Sequence, residues 1–206
     1  MIVIIDYGMG NLKNVYNALK HLNIASKVSN EIAEIKCADK LILPGVGAFN
    51  KAMYNLNNMG LTEIIKEKVN NGTPLLGICL GMQMIFQKGY ENGECEGLAF
   101  IDGEVKILEP KEKVKIPHIG WNKLEYNSSN DLIKGLDENS FVYYVHSYAA
   151  TNVKNENLVG FSNYGGIKVP SIVCNNNVYG TQFHPEKSGE VGLRILQNFG
   201  EVIKWL

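Results

Sequence analysis

Cys79 stands in a pattern that is typical of an activated nucleophile. It is the centre of Gly77-Ile78-Cys79-Leu80-Gly81, with a glycine two residues away on each side. In a nucleophile elbow a strand turns sharply into a helix, and side chains at the two glycine positions would collide with backbone. The start of the helix favours a thiolate there. The pattern predicts a cysteine nucleophile, although a tight turn around a buried thiol is the alternative.

A thiolate also needs a base, and histidine occurs only at positions 21, 118, 146 and 184. His21 is expected at the polar end of the first helix, and His118 in a loop. His184 ends the apolar run 178–183 and precedes Pro185 and Glu186. In extended backbone Glu186 would project to the same side as His184 and accept from one ring nitrogen, while the other nitrogen faces the thiol. An ordinary surface pair at a strand end is the alternative.

Attack on an amide carbonyl builds negative charge on oxygen, so the site needs donors for an oxyanion. The backbone amide of Leu80, directly after the nucleophile, is one candidate. The loop Pro44-Gly45-Val46-Gly47 follows another apolar run. We expect this loop to lie close to Cys79, so that the backbone at Val46 or Gly47 would supply the second donor. A Pro-Gly pair after a strand is equally an ordinary turn.

Three apolar runs in the first half, at 2–5, 41–43 and 75–78, each end at a glycine-containing loop that a helical pattern follows. After Cys79, residues Met82, Ile85 and Phe86 are predicted to share one helical face. The alternation predicts a parallel sheet with helices on both faces, and ligands that bind beyond the carboxyl ends of the strands.

Beyond Gly103 the apolar runs become shorter, which predicts that the sheet becomes mixed or antiparallel there. Strands are expected at 105–107, 141–145, 158–161, 171–174 and 178–182, with a hairpin turn at 175–177 and a last helix that begins near Gly189. The predicted fold class is therefore α/β: a central mixed, mostly parallel sheet flanked by helices, with antiparallel strands in the second half. The length predicts one domain, residues 1–206.

The composition excludes several classes of function. The formal net charge is −1 with both signs mixed along the chain, so no nucleic-acid partner is expected. The first apolar run reaches Asp6 too soon for a signal peptide or a membrane span. The four cysteines, at 37, 79, 95 and 174, lack the spacing of a zinc site or a redox pair. We expect a cytoplasmic protein with no metal and no organic cofactor, since a thiolate hydrolyses amides without either.

The chain order Cys79, His184, Glu186, with Gln83 one helical turn after the nucleophile, resembles the class I glutamine amidotransferases, whose fold is flavodoxin-like, across essentially the whole sequence. The resemblance is closer to the glutaminase subunits of imidazole glycerol phosphate synthases, which serve histidine biosynthesis. It rests on five segments: Asp6-Tyr7-Gly8-Met9-Gly10-Asn11-Leu12, Pro44-Gly45-Val46-Gly47-Ala48-Phe49, His118-Ile119-Gly120-Trp121-Asn122, Tyr144-Val145-His146-Ser147-Tyr148 and His184-Pro185-Glu186-Lys187-Ser188.

The resemblance implies a role for each matching position. Cys79 would form a glutamyl thioester, His184 would act as base and then as acid, and Glu186 would orient the histidine. Glutamine would contact Gln83, the backbone of Gly47, His146, Ser147 and Tyr148. The interface with a cyclase subunit would include Asn11, Trp121 and Lys187.

That cyclase, a separate (β/α)₈ barrel in a heterodimer with this chain, would receive the ammonia and make imidazole glycerol phosphate and AICAR. Most class I relatives carry Pro-Gly-Gly where this chain has Pro-Gly-Val. The loop at Val46 and Gly47 is therefore expected to rest with its amide turned away until the partner binds its own substrate.

Three other interpretations remain open at this stage. A paralogous amidotransferase subunit that supplies ammonia for the amination of a surface-polysaccharide nucleotide sugar would carry the same catalytic motifs. Another cysteine hydrolase or a stress protein on the same kind of sheet would generally lack His184 and Glu186. A catalytically inactive scaffold would not need all three residues intact.

Overall fold

The computed structural model describes residues 1–204, so the last two residues of the predicted domain, 205 and 206, lie outside the described part. The strands are β1 (Ile2–Ile5), β2 (Ser26–Ser29), β3 (Lys40–Gly45), β4 (Leu75–Cys79), β5 (Phe86–Gly89), β6 (Cys95–Glu96), β7 (Ile101–Ile107), β8 (His118–Lys123), β9 (Glu125–Tyr126), β10 (Phe141–His146), β11 (Tyr148–Thr151), β12 (Leu158–Tyr164), β13 (Ile167–Asn175) and β14 (Val178–Thr181). The α-helices are α1 (Leu12–His21), α2 (Ile32–Lys36), α3 (Phe49–Asn58), α4 (Leu61–Asn70), α5 (Leu80–Met84) and α6 (Gly189–Gln197).

The central sheet has eight strands in the order β2-β1-β3-β4-β14-β13-β12-β9. The first five strands in this order are parallel to one another. Strands β13, β12 and β9 extend the sheet beyond β14, and each is antiparallel to the strand before it. The two-residue turn at Asn176 and Asn177 joins β13 to β14, and Asn176 adopts the positive φ that such a hairpin requires. The predicted fold class is confirmed: a mixed, mostly parallel sheet with antiparallel strands in the second half.

Helices cover both faces of this sheet because side chains along a strand alternate between the faces. On one face the odd-numbered residues of β1, β3 and β4 pack against α3 and α4. On the other face their even-numbered residues pack against α1 and α6. The continuous apolar runs that mark these strands in the sequence are thus strands buried on two sides, as expected for parallel strands between helices.

Two smaller sheets accompany the central one. Strands β11-β7-β5-β6 form a four-stranded sheet, and β8 pairs with β10 in a two-stranded antiparallel sheet. Neither the helix α2 nor the strands β2, β5, β6, β8, β9 and β11 were predicted from the sequence. Within residues 1–204, no helix combines the length and the apolar character that crossing a bilayer requires.

Two local predictions were wrong. The helix after Cys79 ends at Met84, and Phe86 begins β5 instead of continuing the helical face. The reason is tertiary: backbone amides of Leu98 and Phe100 bond the carbonyls of Met84 and Ile85, which draws this segment into a sheet. His118 begins strand β8 and is buried, whereas a loop was expected.

Candidate active site

Cys79 occupies a strained turn at the carboxyl end of β4. Its φ is 55° and its ψ is −108°, and α5 begins at the next residue, Leu80. A Cβ added to Gly81 would lie 1.7 Å from the carbonyl oxygen of Leu43, and one added to Gly77 would lie 2.6 Å from that of Gly81. Backbone therefore fills both spaces, which is the steric reason for the glycines in the predicted elbow.

His184 and Glu186 form a buried pair. The Nδ1 atom of His184 lies 2.8 Å from Oε1 of Glu186, and the two side chains are 2% and 1% exposed. The expected contact is present, but the extended backbone that was expected to make it is not. Strand β14 ends at Thr181, and residues 185–187 form a 3₁₀ turn with Pro185 in its first position. The turn brings the carboxylate back beneath the imidazole.

The protonation of His184 depends on both neighbours. Burial alone would lower the pKa of His184, but the interactions with the Cys79 thiolate and the Glu186 carboxylate outweigh it and raise the pKa to about 9. Because Nδ1 is bound to Glu186, Nε2 is the ring atom left for the sulfur. At neutral pH the imidazole is therefore protonated when it faces a thiolate.

Cys79 and His184 open into a cavity of about 440 Å³. Seven further residues that the sequence analysis named line the same cavity: Val46, Gly47, Leu80, Gln83, His146, Ser147 and Tyr148. Glu186 lies behind His184 rather than on the wall. Four segments that are distant in sequence thus meet at one edge of the sheet, beyond the carboxyl ends of β3 and β4.

The loop after β3 lies beside the nucleophile because β3 and β4 are paired with Gly45 opposite Cys79. Val46 is exposed, and Gly47 has a φ of 99°, a conformation that L side chains rarely adopt. Leu80, on the other side of the cysteine, begins a helix with an amide that is free of intrahelical bonds. The two backbone segments from which oxyanion donors were predicted thus lie on either side of Cys79 in the chain fold.

The residues expected at a partner interface do not line the cavity. Asn11 precedes the first residue of α1. Trp121 is 57% exposed on β8, and its ring lies 6.1 Å from the ring of Tyr143. The Nζ atom of Lys187 lies 6.0 Å from the same tyrosine ring. Trp121 and Lys187 therefore flank Tyr143 on one surface.

Two residues of the site, Gln182 and Glu91, were not identified from the sequence. Gln182 is fully buried, and its Nε2 lies 3.8 Å from the sulfur of Cys79. Its Oε1 accepts from Nε2 of Gln83 at 3.1 Å. The signal was available, since Gln182 stands two residues before His184 in the same run. Glu91 lines the cavity and accepts from the Phe49 amide at 2.9 Å, but its loop carries no motif that would identify it.

Tyr7 was also missed as a neighbour of the site. A Cβ on Gly45 would lie 2.4 Å from its hydroxyl, so the ring reaches under the loop that follows β3. The hydroxyl is fully buried and has no protein hydrogen-bond partner within residues 1–204. Burial, and next the negative charge of Cys79, raise the pKa of Tyr7 far above its usual range. The phenol is therefore neutral.

The arrangement suits acyl transfer through a thioester. It combines a cysteine on a strained turn, a histidine held by a carboxylate, and the backbone of Leu80 and of the loop after β3 in the same cavity. The cavity is large enough for a small amide substrate and opens to solvent.

Comparisons with known proteins agree with this chemistry. The family model described as "Glutamine amidotransferase class-I" matches residues 3–202. A protein of Lactococcus lactis subsp. lactis named imidazole glycerol phosphate synthase subunit HisH is 50% identical over 202 residues, 98% of either chain. Its namesake from Caldanaerobacter subterraneus is 48% identical over 206 residues, the full length of both.

Solved structures share the fold at low identity. A glutamine amidotransferase crystal structure superposes with a TM-score of 0.75 at 19% identity, covering 97% of this chain and 100% of the other. A glutamine amidotransferase from Thermotoga maritima gives a TM-score of 0.63 at 18% identity, covering 96% of this chain and 81% of the other.

Proposed function

Because this chain belongs to the class I glutamine amidotransferase family, we propose that Cys79, His184 and Glu186 hydrolyse the side-chain amide of glutamine. The chain is the glutaminase subunit of imidazole glycerol phosphate synthase, an enzyme of histidine biosynthesis, as its identity of about half to such subunits over the whole length supports. The observation that carries the catalytic assignment is the meeting of Cys79 and the His184–Glu186 pair in one cavity.

In the first half of the reaction the Cys79 thiolate attacks the side-chain amide carbon of glutamine. The carbonyl oxygen becomes an oxyanion, which the amides of Leu80 and of the Val46 and Gly47 loop stabilise. As the C–N bond breaks, the His184 imidazolium gives its Nε2 proton to the leaving nitrogen. Ammonia leaves, a glutamyl thioester remains on Cys79, and His184 is neutral.

In the second half neutral His184 accepts a proton from water, whose oxygen attacks the thioester carbon. The C–S bond breaks, the side-chain carboxylic acid leaves and gives its proton to solvent to become glutamate, and the pair of thiolate and imidazolium is restored. Glu186 accepts from Nδ1–H throughout, so the imidazole keeps Nε2 toward the sulfur. Protons and electrons balance without any further reactant.

The cavity wall supplies the contacts that glutamine needs. The Nε2 atom of Gln83 donates to the carbonyl of Tyr148 at 2.8 Å, which joins the helix after the nucleophile to the segment of His146, Ser147 and Tyr148. We assign this wall and the backbone of Gly47 to glutamine binding. The carboxylate of Glu91 is suited to the α-ammonium group of the substrate.

We further propose that the chain, as one domain, forms a heterodimer with a cyclase subunit built as a (β/α)₈ barrel. Asn11, Trp121 and Lys187 would contact this partner, and ammonia would pass into the barrel instead of into solvent.

The partner would also favour the competent state of the loop at Val46 and Gly47, so the free glutaminase should be weakly active. We also propose that the complex is cytoplasmic, in keeping with the biosynthetic role of such subunits.

The test is glutamate release from glutamine by the purified chain, alone and with the cyclase and its ribonucleotide substrate. We expect weak activity alone, strong activation by the complex, and loss of both in Cys79→Ala. Activity that survives in Cys79→Ala would refute the nucleophile. Full activity without the cyclase would refute the partner's control of the loop and leave the triad in place.

A further inference from the structure

Two buried histidines lie next to the cavity in direct contact with each other. His118, at the start of β8, is paired across the sheet with His146, at the end of β10. The Nδ1 atom of His118 lies 3.1 Å from Nε2 of His146, and Nδ1 of His146 lies 2.9 Å from the carbonyl oxygen of Tyr148. The two residues are 2% and 6% exposed. Only His146 lines the cavity.

These contacts assign the hydrogens of both rings. A carbonyl oxygen only accepts, so Nδ1 of His146 must carry its hydrogen. Burial lowers the pKa of His146 to about 3 and that of His118 to about 4, so both rings are neutral near pH 7. Nε2 of His146 is then an acceptor, and Nδ1 of His118 is the donor to it. The remaining nitrogen of His118, Nε2, can accept from the side-chain amide of Asn122 at 3.4 Å.

The ring of His118 is held in this orientation from both sides. It stacks on Tyr144 with centroids 4.4 Å apart and an interplanar angle of 18°, and on Tyr164 with 3.9 Å and 20°. The hydroxyl of Tyr144 is itself bonded to Ser162 at 2.7 Å and Ser171 at 2.6 Å. A ring clamped between two tyrosines in this way cannot turn to present another atom to His146.

The carbonyl at the end of this series is part of the cavity wall. The Tyr148 oxygen accepts from His146 and also from Nε2 of Gln83, which in turn bonds Gln182 beside the sulfur of Cys79. If His146 took the other tautomer, its Nδ1 lone pair would face the carbonyl, and the two acceptors would repel each other. The hydrogen that His118 donates therefore favours the same tautomer of His146 that the Tyr148 carbonyl requires.

We propose that His118 is a positioning residue, which fixes His146 as its Nδ1–H tautomer and thereby holds the wall formed by His146, Ser147 and Tyr148 for glutamine. This inference rests on the proposed glutaminase function. His118 touches neither glutamine nor the reacting atoms, so its loss should weaken substrate binding more than it slows the chemical step.

Two variants separate the donated hydrogen from the packing of the ring. His118→Phe keeps an aromatic ring between the tyrosines but has no donor. His118→Asn loses the stacking but places an amide nitrogen near the position of Nδ1. In the complex with the cyclase and its substrate, we expect KM for glutamine to rise about tenfold in His118→Phe, with kcat changed by less than about threefold, and to recover in His118→Asn.

The tautomer of His146 is measured directly from its ring ¹⁵N shifts, in the wild type and in both variants. We expect Nδ1–H in the wild type and in His118→Asn, and a mixture of tautomers in His118→Phe. An Nε2–H tautomer in the wild type would overturn the proposal even if neither variant folds. The proposal would also be overturned if His118→Phe left both KM and the tautomer of His146 unchanged. It would be overturned as well if KM rose equally in both variants while His146 kept its Nδ1–H tautomer. Failure of the glutaminase assignment would show instead as absent hydrolysis in the wild-type complex, whatever the tautomer.

Discussion

At the scale of single residues, the site depends on which buried polar groups are paired. Nδ1 of His184 is paired with Oε1 of Glu186, and the interactions with Cys79 and Glu186 keep an imidazolium in a place where burial alone would remove its charge. Tyr7 differs, because its hydroxyl is the one polar atom of its side chain and has no protein partner within the described residues. Two substitutions test these two situations.

The first is Glu186→Gln, which removes the charge and keeps the shape. The carboxylate helps raise the pKa of His184, so that pKa should fall and the alkaline limb of the pH profile should move to lower pH. Loss of the orienting group should lower kcat/KM on the order of 10²-fold or more. Initial rates of glutamate release by the complex across pH give both quantities. Glu190→Gln, the same change at an exposed position, is the control, and equal profiles for the two variants would contradict the role of Glu186.

The second is Tyr7→Phe, which removes the unpaired hydroxyl from a fully buried ring. Because the desolvation cost of that group disappears, the free energy of unfolding should rise by about 1 kcal/mol and Tm by about 2–4 °C. The matched control is Tyr144→Phe, whose hydroxyl bonds two serines and whose loss should destabilise the protein by about 1 kcal/mol. If calorimetry shows that Tyr7→Phe also destabilises, the Tyr7 hydroxyl must have a stabilising partner.

At the scale of elements, the sequence predicted well what continuous apolar runs and glycines determine. The runs that became β1, β3 and β4 are buried on both faces, and the glycines around Cys79 fill spaces where only backbone fits. Sequence could not predict what tertiary contacts decide. The segment at Phe86 joins a sheet through partners at positions 98–101, and His118 belongs to a strand that forms a two-stranded sheet with β10. Short two-stranded pairings leave little local pattern.

The burial of His146 on β10 predicts how the free energy of unfolding changes in acid. His146, at the end of β10, has its pKa lowered to about 3 from 6.5 by burial, with smaller contributions from His118 and His184. Well above pH 6.5, His146 is neutral in both the folded and the unfolded chain, so its titration does not change the free energy of unfolding there. Below that pH the unfolded chain takes up a proton that the folded chain refuses, so stability falls. Between about pH 7.5 and about pH 5 the loss from His146 alone should be about 2 kcal/mol.

Urea unfolding of the wild type and of His146→Asn at these two pH values checks this estimate. The asparagine keeps a donor near the Tyr148 carbonyl but cannot titrate. The free energy of unfolding of the variant should therefore fall by about 2 kcal/mol less than that of the wild type. Parallel losses in the two proteins would mean that His146 is not held neutral.

At the scale of the whole molecule, the catalytic motifs predict the reaction, whereas the similarity over the complete chain indicates the pathway. Cys79, His184 and Glu186 predicted the reaction, but the same three residues would serve an amidotransferase that feeds a nucleotide sugar. Identity of about half to histidine-pathway subunits, over the entire length, supports the assignment to that pathway. The residues predicted to contact a partner, Asn11, Trp121 and Lys187, lie outside the cavity, on other surfaces of the chain.

One such surface is the exposed face of the β8–β10 pair. The register sets Tyr143 opposite Trp121 and Val145 opposite Ile119, and Trp121, Ile119, Val145 and Phe141 are all exposed. His146, at the end of β10, lines the cavity, so this apolar face lies beside the mouth of the active site. A partner that docks here would lie against the opening of the cavity, and channelling requires that ammonia pass from that opening into the partner and not into solvent.

This geometry predicts that Trp121 is a principal contact with the cyclase. Large aromatic side chains in the middle of such a surface commonly contribute at least 2 kcal/mol, so Trp121→Ala should raise Kd for the cyclase about 30-fold or more. Titration calorimetry measures this directly. Tyr54→Ala is the matched control, because Tyr54 is 58% exposed on α3, against 57% for Trp121, and should leave Kd unchanged. Equal affinities for the wild type and Trp121→Ala would move the interface away from the β8–β10 face.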